Sequence, residues 1–166
     1  MNRVTHAYDG PLALFLIGLR IHKPWHLRTA RAAALPMQGM IVELEANRAA
    51  ADRGEAEDLG YLASRTTVGL TGVTMIQWWR SVEDIYAYAN AGDRRHRPAW
   101  VEFYRVAKER PDVATLWHET YDLTGRGVES AYAGPKPFGL ASLAGVVPMG
   151  RRGEVARARM GGTLRS

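Results

Sequence analysis

MIQWWRSVEDIYAYANAGDRRHRPAW, residues 75–100, decides how this chain folds. Its opening, up to Trp78-Trp79-Arg80, continues a β-branched and aromatic run from Val73, the composition of a strand. Ser81-Val82-Glu83-Asp84 resembles a capping box, with Ser81 as N-cap and Asp84 at N3. Ile85, Tyr88 and Ala89 then share one helical stripe. Gly92 breaks that helix, and His96 stands before a second helical start at Pro98. Trp100, Phe103, Tyr104 and Ala107 repeat the i, i+3, i+4, i+7 spacing. One strand-to-helix corner thus gathers flat rings, a cation and an imidazole. Such a corner holds a conjugated small molecule beside a titratable group, or is simply well packed.

On the N-terminal side, Gly60–Val68 reads as a strand joined to Val73–Arg80 through Gly69-Leu70-Thr71-Gly72, a hairpin-length link. Leu12–Ile21 is an unbroken apolar run, as in a strand buried on both faces. Met37, Met40, Ile41 and Leu44 predict a helix with Pro36 in its first turn. The polar stretch Glu45–Glu57 continues or frays it. On the C-terminal side, Pro111-Asp112 stops the last helix and Val113–Leu123 forms the last strand.

Strand, helix, strand, strand, helix, strand is the ferredoxin-like βαββαβ order: an α+β fold with an antiparallel sheet and two helices on one face. Residues 1–124 hold it, and residues 125–166 are a C-terminal extension. Within that extension Ala131–Leu143 wraps onto the domain and the Arg-rich end is expected to be loose. Several strands are apolar in both registers, so the face without helices needs a cover. A second copy of the chain, packed sheet to sheet, or the extension itself would supply it.

At 166 residues and 46% apolar content the chain makes one domain with a core of its own. With no cysteine, disulfides, thiolate metal sites and cysteine nucleophiles are excluded. The net charge is +5, and residues 148–166 supply five arginines against Glu154, leaving the body near neutral. No phosphate-tracking face is expected, hence no nucleic-acid partner. The apolar run Leu12–Leu19 is too short for a membrane span and poorly flanked for a signal peptide, so a cytoplasmic protein is expected. No GxGxxG, Walker or HExxH pattern occurs, and Pro24 separates His22 from His26.

Two imidazoles lead the candidate site residues. His96, at a helix N-terminus among Arg94, Arg95 and Arg97, is biased toward the neutral form, which accepts a proton or binds a metal, unless it merely caps the helix. His118 shares strand parity with Leu116 and Thr120, opposite Trp117, Glu119 and Tyr121. It is an acid, base or ligand if that side faces a cavity, and a packed histidine otherwise. Arg80 and Arg65 are candidates for stabilising an enolate or phenolate, with a structural ion pair to Glu83 or Asp84 as the alternative for either. Trp78 and Trp79 point to opposite faces, one toward a cavity. Tyr61, Trp100 and Trp25 complete the candidate substrate-binding set.

The ordered set Gly60-Tyr61-Leu62, Gln77-Trp78-Trp79-Arg80-Ser81, Asp84, Tyr88-Ala89, His96-Arg97-Pro98-Ala99-Trp100, Trp117-His118-Glu119-Thr120-Tyr121 and Pro137-Phe138-Gly139-Leu140 carries a resemblance. Over Leu12–Leu143 the chain resembles the monooxygenase-like family that includes the fumagillin-pathway monooxygenase. That family lies within the dimeric α+β barrel superfamily of antibiotic-biosynthesis monooxygenases. The resemblance implies a homodimer and a cavity between sheet and helices. It also implies oxidation of a small apolar or aromatic metabolite without flavin or metal, by proton removal at His96 or His118. Other superfamily members bind haem, and in haem-degrading ones an axial histidine lies in the region of His96. The alternatives are therefore a haem enzyme using His96 or His118, or a metabolite-binding dimer without chemistry.

Overall fold

A computed structural model describes residues 3–23, 25, 27–92, 101, 105, 108–109, 112–134 and 138–161, with backbone alone over 27–37. The central sheet is built from β2 (Ala13–Ile21), β3 (Tyr61–Gly69), β4 (Gly72–Trp79) and β5 (Ala114–Asp122) in the order β3-β4-β2-β5, every pair antiparallel. β1 (Arg3–His6) precedes them in the chain. α1 (Leu27–Asp52) follows β2 and α2 (Val82–Asn90) follows β4. Residues 101, 105 and 108–109, before β5, are helical. Counted from β2, this strand order is that of the ferredoxin-like fold.

The hairpin closes as its glycines require. Gly69 pairs with Gly72, whose φ of 148° is open to glycine. The cap at α2 also forms, the Asp84 N–H donating to Ser81 Oγ at 3.0 Å. The Asp84 side chain does not reach back to the cap. Its Oδ2 instead accepts from Arg80 Nε at 3.4 Å.

Parity sorts the core. Ala13, Ile17 and Leu19 of β2 and Met75 and Trp79 of β4 are buried on one side. There Met40 and Leu44 of α1 and Ile85 and Tyr88 of α2 pack on them. Trp78 points the other way, into a cluster with Leu12, Ala63 and Leu140. A β-bulge between Tyr61 and Ala63 changes the parity of β3. Tyr61 therefore sits edge-on to Trp79, ring centroids 5.4 Å apart, while Ala63 and Arg65 stay on the Trp78 side.

Three expectations are corrected. The first helix starts at Leu27, nine residues before Pro36, which lies in its interior. The Ala-rich lead (Ala30, Ala32, Ala33, Ala34) has helix propensity enough to carry the missing backbone donor of Pro36. A second sheet was not anticipated. In it β1 lies between β6 (Tyr132–Ala133) and β7 (Val146–Pro148). Finally, the Arg-rich end is not loose up to Gly161. Arg152 and Arg159 are only 4% and 6% exposed. Arg152 donates to the His6 and Tyr8 carbonyls and to Asp9, and Arg159 to Glu129 and the Gly153 and Glu154 carbonyls. Buried guanidinium groups need that many acceptors. The short helices α3 (Ala141–Ala144) and α4 (Ala156–Gly161) complete this layer, and Leu140 and Leu143 cover Trp78.

The second sheet carries a pH-sensitive group. Burial, then the Arg152 charge, lowers the His6 pKa to about 4 from 6.5. The unfolded chain therefore binds this proton more readily than the folded one. Stability is complete above pH 6.5 and falls as pH drops toward 4, by up to about 3 kcal/mol. Urea midpoints at pH 7.5 and 4.5 should differ accordingly, and His6→Gln should remove that part of the difference.

Candidate functional site

β2, β4 and β5 floor a cavity roofed by α1 and α2. Phe15, Met40, Gln77, Trp79, Tyr88 and His118 line it together with Tyr86, Thr120 and aliphatic side chains, and its volume is about 170 Å³. An apolar cavity of roughly 150 Å³ accepts benzene, so this one has room for a single aromatic ring.

His118 reaches the cavity because its β5 position pairs with Ile17, on the face that carries the helices. Its ring lies 5.9 Å from that of Phe15, tilted 41°. His118 and Tyr86 are exposed, so they stand at the mouth. The interior wall is Trp79, whose ring is 5.7 Å from that of Tyr88.

Gln77 is the polar group that sequence reasoning passed over. It is 3% exposed and lines the cavity. The Trp79 indole N–H donates to Gln77 Oε1 at 2.9 Å, which fixes the orientation of the carboxamide. Gln77 Nε2 donates to Met75 Sδ at 3.3 Å, a weak acceptor. Its other amide hydrogen has no protein acceptor among the described residues. The signal was present in the sequence: Gln77 shares parity with Trp79, and a buried amide needs partners.

Two tyrosines brace the roof. Tyr61 Oη donates to Glu45 at 2.5 Å and Tyr88 Oη to Glu43 at 3.3 Å. Burial and then the Glu45 hydrogen bond push the Tyr61 phenol well above its ordinary range. It stays protonated and packs against Trp79 beside the cavity rather than lining it.

The remaining candidates do not converge here. Arg65 pairs across β4 with Ile76, on the face opposite His118, and its guanidinium lies 4.3 Å over the Phe138 ring. Arg80 is held by Asp58 at 2.6 Å and Asp84 at 3.4 Å. Gly60, at φ 76°, is needed beside that pair, because a Cβ there would fall 2.3 Å from the Asp84 carboxylate. Trp78 is on the far face, and Trp25 is 72% exposed. His96 and Trp100 lie outside the described residues.

Haem does not fit what the described residues enclose. A space for one ring is far smaller than a porphyrin, and Arg65, a cation that could meet a propionate, lies on the opposite face of the sheet. Among the described residues no three histidine or carboxylate side chains gather as a metal site. No described helix is long and apolar enough to cross a membrane.

Two solved proteins are similar in part. One is a conserved protein from Bacteroides thetaiotaomicron VPI-5482, described as a possible oxidoreductase. It is 12% identical with a TM-score of 0.34, over 69% of this chain and 99% of that one. The other is SnoaB, a cofactor-independent oxygenase from Streptomyces nogalater. It is 13% identical with a TM-score of 0.30, over 68% of this chain and 92% of that one. No curated protein sequence matches. The family model described as monooxygenase af470-like matches residues 12–140, which span β2 through β5 and the segment covering Trp78. The chain belongs to the monooxygenase af470-like family.

Proposed function

We propose that the protein is an oxygenase of a small aromatic or conjugated metabolite bound in the helix-side cavity, working without flavin or metal. One observation carries this reading: an apolar, single-ring cavity with an imidazole at its mouth and an open amide donor in its wall. His118 takes a proton from an acidic C–H or phenolic O–H of the substrate. Gln77 Nε2–H holds the oxygen on which the negative charge collects. The electron-rich anion then reduces dioxygen and recombines with it to a hydroperoxide. Loss of water converts an activated CH₂ to C=O, so one oxygen atom ends in the product and one in water. Phe15, Trp79 and Tyr88 orient the ring and exclude bulk water.

The anion-stabilising role expected of Arg65 or Arg80 passes to Gln77 in this reading. Gln77→Leu keeps most of the volume and removes the donor, at a cost of about 1–3 kcal/mol for the stranded Trp79 indole N–H. Turnover should fall on the order of 10²-fold, as when an oxyanion-hole donor is removed. Oxygen consumption across a panel of phenolic and terpenoid substrates measures the turnover, and urea unfolding the stability. Ligand uptake with no oxygen consumption anywhere in the panel would replace the enzyme with a metabolite-binding protein.

The reading includes a homodimer. Residues of the extension cover Trp78, but Trp117, lying over Gly18 where a Cβ would meet the indole at 2.6 Å, is only partly buried on the same face. Sedimentation equilibrium tests it; a monomer at all concentrations would remove the dimer from the proposal.

A further inference from the structure

A second cavity among the described residues lies elsewhere and is larger than the helix-side one. It measures about 460 Å³, between the chain leading into β2, the turn after β5 and the Arg-rich end, and shares no lining residue with the helix-side cavity. That volume is in the range usual for small-molecule sites. Leu12, Leu123, Val128 and Leu140 supply apolar wall, and His6 and Arg126 also border it.

The hydrogen bonds around His6 determine which ring nitrogen carries its proton. Ser130 Oγ accepts the His6 backbone N–H at 3.0 Å, and lies 2.7 Å from His6 Nδ1 and 3.2 Å from Thr5 Oγ1. Thr5 is 0% exposed, and Ser130 is its only side-chain partner among the described residues. If Nδ1 carried the proton, Ser130 would donate to Thr5 and the Thr5 hydroxyl hydrogen would be buried without an acceptor. The reverse assignment satisfies both hydroxyls and Nδ1: Thr5 donates to Ser130, and Ser130 donates to Nδ1. The proton of the neutral ring is therefore on Nε2. His6 is 2% exposed, and this Nε2–H has no protein acceptor among the described residues. Ser130 does not border the cavity and His6 does, which leaves the ring edge away from Ser130 as the one available to it.

Two other cations there are already satisfied, Arg152 by Asp9 and backbone carbonyls, Arg159 by Glu129 and backbone carbonyls. Arg126 is exposed, with Asp122 as its charged neighbour, and its guanidinium makes no hydrogen bond among the described residues. We propose that this cavity is a second ligand site, for a small organic molecule with an apolar body and a carboxylate. The carboxylate accepts from His6 Nε2–H and pairs with Arg126, and the body lies on the leucines and Val128.

The full-length protein, labelled with ¹⁵N-histidine, is titrated with 1-naphthoate and with its uncharged methyl ester, following the imidazole signals. The His6 ring should show the Nε2–H tautomer, and 1-naphthoate should shift its signal. The ester and the Arg126→Ala variant should each bind about fivefold more weakly, as expected for loss of one partly exposed charge contact. His118→Ala should leave this affinity unchanged, and Arg126→Ala should leave oxygen consumption unchanged. The proposal fails if His6 carries its proton on Nδ1 or its signal stays fixed at millimolar naphthoate. It also fails if the ester binds as well as the acid, or if Arg126→Ala binds as wild type.

Discussion

His118→Ala should reduce oxygen consumption by about 10²–10⁴-fold, the usual range for removing a positioned general base. The substitution sits on an exposed strand position at the mouth of the cavity, so the fold should survive it. Circular dichroism and the urea midpoint should match wild type within about 0.5 kcal/mol. His118→Gln keeps a hydrogen-bonding group of similar size but cannot accept a proton at neutral pH, and should be nearly as inactive. If either variant consumes oxygen at the wild-type rate with the same substrate, His118 is not the base. His96→Ala, measured alongside, shows whether the second histidine expected from sequence shares the work.

Trp79→Ala should be the most destabilising single change in the central domain. The indole is 1% exposed, packs between Tyr61 and Tyr88, and donates its N–H to Gln77. Truncation removes the ring, leaves a void under both helices and strands the Gln77 carbonyl oxygen, for a loss of about 3–5 kcal/mol. Urea unfolding measures it. Trp78→Ala makes an informative comparison. Its ring is buried on the far face by Leu12, Ala63 and Leu140, so it should lower stability and spare ligand binding in the helix-side cavity. Trp79→Ala should affect both.

The central sheet was legible in the sequence because its signals are local. The Gly69–Gly72 link, the Ser81 cap and the parity of β4 each act within a few residues. Parity also showed that Trp78 and Trp79 diverge. It could not show which side carries the helices, because β2 and β4 are apolar in both registers. In the proposed function, that one fact moves the anion-stabilising role from arginine to Gln77. The bulge at Tyr61 is likewise invisible in a strand pattern, yet it decides that Tyr61 joins Trp79. The start of α1 was misplaced because Pro36 suits a first turn; an Ala-rich run outweighed one missing hydrogen bond. β1 was missed for a different reason. Arg-Val-Thr-His is too short to show a period, and its partners are more than 120 residues away.

That separation shapes how the molecule is made. Of the three strands of this sheet, the earliest in the chain is the middle one, and both neighbours, residues 132–133 and 146–148, leave the ribosome long afterwards. Through that interval Arg3–His6 waits with two open edges, while the larger sheet can already close. A nascent chain halted before Val146 would keep one of those edges bare, and with it a route to self-association.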